Sequence, residues 1–230
     1  WDRKCQITEE GYELFEDEKK QIELSASIFE NGDFYLTNGE AAMVEKVKAN
    51  FKNVIVVMNV GGMVDTSWFK DCKEIPAVLM AWQGGMEGGL AAADVVTGDV
   101  NPSGKLVDTY AATLEDYPST ENFHKSVYYV DYNEDIYVGY RYFETFAKEK
   151  VSYPFGFGLS YTDFSVEVLN TRTDGMKAEL TVLVKNIGKT AGKEVVQVYV
   201  CPPQGKLGKP VRNLNSFYKT QLLTPGEGEE

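Results

Sequence analysis

One run constrains this chain more than any other: Pro76-Ala-Val-Leu-Met-Ala-Trp82, then Gln83-Gly-Gly-Met-Glu-Gly-Gly89, then Leu90 to Thr97. An apolar stretch without alternation is what a parallel strand covered on both faces requires. The four glycines of the following loop allow a sharp turn and a close backbone approach. A helix over Gly88–Thr97 follows, with Glu87 placed in its first turn, where a carboxylate complements the positive helix end. Gly98 suits the left-handed residue that ends such a helix, and Asn101-Pro-Ser-Gly104 reads as a tight turn. A glycine loop after a strand can also cradle a phosphate. Here Glu87 would repel the anion and no Gly-Lys-Ser/Thr is present, so phosphate binding is disfavoured.

The upstream sequence extends the same architecture. Thr37-Asn-Gly-Glu40 has the Thr-x-x-Glu form of a capping box and opens a helix to about Asn50, with Met43, Val44 and Val47 on one stripe. Val54–Met58 is a second buried strand. Trp68 and Phe69 fall in a short helix before the strand at Pro76. Strand, helix and strand in this order predict an α/β layer with parallel strands. Residues 9–30 stand apart, with eight acids, two lysines and scattered Tyr12, Phe15, Ile22 and Phe29. They read as a charged surface excursion, partly helical or mobile.

From about Asp108 the chain becomes aromatic and rich in turns, through Tyr128-Tyr-Val-Asp-Tyr132, Tyr137-Val-Gly-Tyr-Arg-Tyr-Phe143 and Val151 to Tyr161. Such tyrosines could stack on sugar; a packed inter-domain seam is the commoner use of ring and hydroxyl together. After Thr162 short alternating strands begin at Phe164, Ala178 and Glu194, as in a β-sandwich with one wet face. About four such strands fit before Glu230, where a sandwich of this type has about seven, so this domain reads as truncated. The expected organisation is therefore residues 1–127, an aromatic seam over 128–161, and an all-β part over 162–230.

Charge and cysteines narrow the chemistry. Residues 161–230 carry nine Lys and Arg against eight Asp and Glu, so the net charge of −12 belongs to the earlier residues. An acidic first part disfavours nucleic acid and anionic membrane surfaces, and no apolar run of about 18 residues is present to span a bilayer. Cys5, Cys72 and Cys201 lie far apart and His124 is the one histidine, which disfavours a zinc set, a disulfide framework and a Ser-His-Asp triad alike. His124 reads as a surface residue. Unpaired thiols lean toward a cytoplasmic compartment.

Taken together, these segments resemble glycoside hydrolase family 3, the β-glucosidase and β-xylosidase family. The resemblance rests on Trp82–Gly89, Ala93-Asp-Val95, Gly98-Asp-Val-Asn-Pro-Ser-Gly-Lys-Leu106, Tyr137–Phe143, Tyr153-Pro-Phe-Gly-Phe-Gly-Leu-Ser-Tyr161, Asn186–Val195 and Leu223-Thr-Pro-Gly-Glu227, in the family's order. It implies the second half of an (α/β)6 sandwich with parallel strands, followed by an incomplete fibronectin-III-like β-sandwich. Residues 9–30 are longer than the family's usual stretch. The resemblance also implies a barrel domain elsewhere in the same protein, carrying the nucleophilic aspartate. Trp1-Asp-Arg-Lys4 resembles the tail of the stretch that holds the acid/base glutamate. That glutamate would then sit two residues before Trp1, so no catalytic residue is expected within the chain. Trp1 aligns with an aromatic beside the aglycone subsite and is the candidate substrate-binding residue, a packing role at the domain seam being the alternative. Asp2 and Arg3 would pair locally and shape that loop. Glu87 as a catalytic acid is disfavoured, because the helix end already accounts for it.

Three functions follow for weighing. The favoured one is a segment of a retaining β-glycosidase acting on non-reducing-end β-glucosides or β-xylosides, with no cofactor and no metal. The second is a non-catalytic module that binds sugar or another domain. The third, a phosphate- or nucleotide-binding α/β protein, would need an anion at Gly84–Gly89.

Overall fold

A computed structural model describes residues 5–8, 11–123 and 129–230 of the chain. They fall into two compact units, one of residues 1–56 and 62–78 and the other of residues 57–61 and 79–230.

The first unit starts with an antiparallel hairpin, β1 (Cys5–Thr8) and β2 (Gly11–Leu14), which composition did not reveal and of which only β2 lies within the acidic stretch. The helix α1 (Glu16–Ile28) follows, its first turn carrying Glu16, Asp17 and Glu18 where the helix dipole favours acids. No residue of α1 is buried, and Ile22, Leu24 and Ile28 are all exposed. The helix α2 (Asn38–Asn50) begins with the expected capping box. Thr37 Oγ1 accepts from Glu40 N, and the Glu40 carboxylate accepts from Thr37 N in return. Of its apolar stripe, Val44 and Val47 are half-buried while Met43 is exposed. Between Thr66 and Ile75 the chain makes successive turns rather than the expected short helix. The Asp65 carboxylate accepts from Ser67 N and Oγ, and Asp71 takes a positive φ of 60°, which a continuing helix does not allow. Phe34, Val54, Phe69 and Ile75 form the buried apolar positions of this unit.

The strands β3 (Ile55–Met58) and β4 (Ala77–Met80) pair into a two-stranded sheet. Both were expected to be covered on two faces. In β3 only Met58 is buried, with Ile55 and Val57 about half exposed, and in β4 no residue is fully buried. The unalternating apolar run calls for a second covering layer, which the described residues do not supply.

The second unit continues with α3 (Gly88–Thr97), ended as predicted by Gly98 at φ +87°. A short pair, β5 (Tyr110–Ala111) with the later β6 (Val151–Tyr153), brackets the helix α4 (Tyr140–Phe146). Around it Ala111, Phe143 and Ala147 form a core, with Tyr117, Tyr142 and Val151 packed against it.

The all-β part holds five strands in two sheets. The first sheet joins β7 (Phe164–Asp174), β8 (Lys177–Asn186) and β11 (Gly228–Glu229), and the second joins β9 (Val195–Val200) to β10 (Asn213–Lys219). The hairpin of β7 and β8 turns on Gly175-Met176, with Gly175 at φ +57° as a two-residue turn of this hand requires. An α/β part followed by a β part is the order expected from the sequence.

Candidate functional site

The glycine loop after β4 is the natural place to look for a site, since ligands of α/β sheets gather at the carboxyl ends of strands. The strand ends are tied together there, Ala81 N donating to Met58 O at 3.0 Å. Immediately afterwards Trp82 adopts φ +56°, a left-handed conformation that is strained for a bulky aromatic. This turn directs the Gln83 amide onto Gly61, where a Cβ would stand 2.7 Å from Gln83 Nε2. Gly84 is equally constrained, because a Cβ on it would meet Gly88 Cα at 2.8 Å. Gly61 and Gly84 thus make room for protein atoms, whereas a Cβ on Gly85, Gly88 or Gly89 would meet open space.

Glu87 stands one position before its expected place. It flanks α3 at the N-cap with φ −92° and ψ 8°, and its side chain makes no capping hydrogen bond. That backbone geometry, followed by Gly88 and Gly89, leaves the carboxylate exposed instead of folded back on the helix end. The loop backbone is partly committed, with Gly88 N donating to Gly85 O and Ala91 N to Glu87 O. Met86 and Leu90 are strongly exposed beside it.

After α3 the predicted tight turn at Asn101–Gly104 does not form, and residues 101–106 run without a local turn. The reason is the use made of Asn101. Its Nδ2 donates to Ala191 O, and its Oδ1 accepts from Ser160 Oγ and Tyr161 N, so the side chain spans to the β part instead of closing an Asx turn. Gly192 must lack a side chain, because a Cβ there would lie 2.6 Å from Asn101 Nδ2. Lys105 completes the clasp. Its ammonium lies 2.8 Å from Glu194 Oε1 and donates to Gly158 O, with both charged side chains largely covered. Tyr161 OH donates back to Val95 O on α3.

The aromatic stretch contributes a second set of contacts. Tyr140 packs on Phe155 and edge-on to Tyr199, and its hydroxyl accepts from Leu214 N on β10. Arg212 lies over the Tyr199 ring and pairs with Glu144 on α4. Burial raises the Tyr199 hydroxyl above its ordinary value, against the opposing pull of Arg212. Not all rings are used this way, since Tyr129 and Tyr132 remain exposed.

Trp1, Asp2 and Arg3 lie outside the described residues, as does His124. The structure joins Lys105 to Glu194 and ties Asn101 to Ser160, Tyr161 and Ala191, where the sequence places Asn101 in a tight turn and Glu194 at the start of a strand. The available signal was a lysine directly after the predicted turn and a glutamate opening a predicted strand.

Residues 13–161 match the glycosyl hydrolase family 3 C-terminal domain, and residues 194–230 match the fibronectin type III-like domain. Beta-glucosidase A of Butyrivibrio fibrisolvens is 56% identical over 246 aligned residues, taking in 100% of this chain and 29% of that protein. A beta-glucosidase of Ruminococcus albus is 48% identical, across 85% of this chain and 20% of that protein. Among solved structures, a beta-glucosidase from Paenibacillus barengoltzii superposes with a TM-score of 0.81 at 50% identity, covering 85% of this chain and 22% of that one. Beta-glucosidase 3B from Thermotoga neapolitana, solved with glucose, gives 0.80 at 43% identity, covering 86% and 28%. The chain thus spans less than a third of the length of each of these relatives.

Proposed function

The chain belongs to glycosyl hydrolase family 3, and from that premise we propose that it is the C-terminal α/β and fibronectin-III-like part of a retaining β-glucosidase. The observation that carries the proposal is the 56% identity to a beta-glucosidase along the whole chain. The half-exposed apolar side chains of β3 and α3 support it, since such faces call for further protein to cover them.

On this reading the substrate is a β-glucoside, with a β-xyloside as the related alternative, cleaved from the non-reducing end. Two carboxylates about 5–5.5 Å apart do the chemistry in a retaining enzyme. The nucleophile attacks the anomeric carbon while the acid protonates the departing oxygen, and the same acid then activates water to release the sugar. Both carboxylates would lie outside these 230 residues, the aspartate on a barrel domain of the same polypeptide. Trp1 would lie beside the aglycone, its indole face against the apolar C–H surface of a sugar or an aryl group. This assignment rests on the likeness of Trp1-Asp-Arg-Lys4 to the family's acid/base stretch. We divide the chain at 127/128 and 161/162, on the change to aromatic and then alternating sequence.

The test is an assay of the natural-length polypeptide and of residues 1–230 alone on an aryl β-glucoside and an aryl β-xyloside. The whole polypeptide is expected to release the aryl alcohol and the 230 residues to release none. Turnover by residues 1–230 alone, or no turnover by the whole polypeptide, would overturn the proposal. Trp1→Ala in the active polypeptide should raise KM for the aryl glucoside; an unchanged KM would place Trp1 in packing.

A further inference from the structure

We infer that Asn31 is a site of spontaneous deamidation, and that its loss releases a latch at the start of α2. This stands independently of the glycosidase reading. The chain has two Asn-Gly pairs, Asn31-Gly32 and Asn38-Gly39. Chemically they are alike, because a glycine leaves the attacking backbone nitrogen unhindered. Both are exposed with open space at the glycine, and they differ in backbone setting.

Asn31 and Gly32 are both exposed, in the turn that follows α1. Gly32 sits at φ +77° with open space around it, and its N–H makes a single turn bond to Phe29 O. Bonds at a helix end of this kind open readily. Asn38 is the first residue of α2, so the Gly39 nitrogen is held in helical geometry one position further on. Asn38 N is itself bound by Glu30 Oε1 at 2.6 Å.

The reaction needs only water and a proton acceptor. The Gly32 nitrogen gives its proton to solvent base and forms a bond to Asn31 Cγ. The Cγ–Nδ2 bond breaks, and ammonia leaves after taking up a proton. Water then opens the resulting succinimide at either of its two C–N bonds, giving aspartate or isoaspartate.

The consequence follows from what Asn31 does. Its Nδ2 donates to Leu36 O at 2.9 Å and approaches Asn38 Oδ1 at 3.3 Å, tying the loop over Gly32–Thr37 shut. Within that loop Phe34 is buried. A carboxylate can only accept, so in place of the amide it would face two acceptors, with the Glu30 carboxylate close along the chain. The isoaspartate product also lengthens the backbone before α2.

The experiment holds the natural-length polypeptide at alkaline pH and follows both asparagines by peptide mapping with isoaspartate detection, alongside thermal unfolding. Asn31 should convert at least about tenfold faster than Asn38, the ratio given by about 1.4 kcal/mol of barrier. The melting temperature should fall as conversion proceeds. Asn31→Gln should block the conversion, and fresh Asn31→Asp should melt below the unaged protein but no lower than the aged one, which also carries isoaspartate. Equal rates at Asn31 and Asn38, or an intact Asn31 while other asparagines convert, would overturn the site. Conversion at Asn31 with unchanged melting would overturn the latch.

Discussion

Within the second unit, the junction around Asn186 and the helix α3 handle burial in opposite ways. Asn186 is wholly buried, yet each side-chain atom that can bond is engaged. Its Oδ1 accepts from Thr162 Oγ1 and Gly188 N, and its Nδ2 donates to Thr190 O and Leu223 O. Its backbone binds Glu227 O and Gly226 N as well. In contrast, α3 is apolar along most of its length and buries nothing fully; Leu90 is 66% exposed and Val96 41%. A buried amide is stable only when satisfied, and an apolar helix only when covered. The first condition is met by the chain's own residues. The second is not met among the described residues.

The largest test of that contrast is Asn186→Leu. Similar volume is kept, but Thr162, Gly188, Thr190 and Leu223 lose their partner in a buried place. We expect a loss of about 3–5 kcal/mol in urea unfolding of the natural-length polypeptide. A loss below about 1 kcal/mol would show that water enters the junction freely. Next comes Leu90→Asp on α3. Judged from its exposure here it should be neutral within about 0.5 kcal/mol. If α3 is covered in the whole protein, it should cost about 2 kcal/mol or more. The neutral outcome would collapse the comparison by making α3 a solvent-facing helix.

Lys105→Met should have a smaller effect. It removes the ammonium from Glu194, whose side chain is 19% exposed and keeps Val195 N as a donor, and it removes the bond to Gly158 O. Fully buried pairs lose more when broken, but both ends of this one keep some solvent, so about 1–2 kcal/mol is expected. A double-mutant cycle with Glu194→Leu should recover part of that loss. Strict additivity would mean that the two side chains act separately.

Local rules were legible in the sequence wherever a residue type answers to its immediate neighbours. The Thr37–Glu40 capping box, the left-handed Gly98 and the alternating strands of the β part are of this kind. Asn101 was misread because Asn-Pro-Ser-Gly satisfies a turn rule, while its amide is recruited by Ala191, Ser160 and Tyr161 far along the chain. The helix α4 was hidden because Tyr-Arg-Tyr-Phe has weak helical propensity, and packing of Phe143 against Ala111 and Ala147 overrides it. The two-sided coverage expected for β3 was a statement about a layer that periodicity cannot locate. Of the candidate site, the glycine loop was legible as a close approach, but not that the approach is of Gly88 to Gly84, nor that Gln83 packs on Gly61.

A titration tests how closed the satisfied side of the unit is. Tyr110 is 1% exposed, and its hydroxyl lies 3.9 Å from Met80 Sδ. Burial, with Tyr117 and Asp108 adding to it, pushes its ionisation up to about 12. A raised folded value favours the neutral ring, so its contribution is complete below the unfolded value near 10 and is lost as pH climbs through about 12. Stability should therefore fall across that interval, and Tyr110→Phe should make the fall shallower by removing the group whose ionisation differs between the states. Urea midpoints at a series of alkaline pH values, with tyrosinate absorbance as a second reading, measure this. Equal slopes for the two proteins would mean that solvent already reaches Tyr110 in the folded state, and the β5 side of the unit would then be as open as α3.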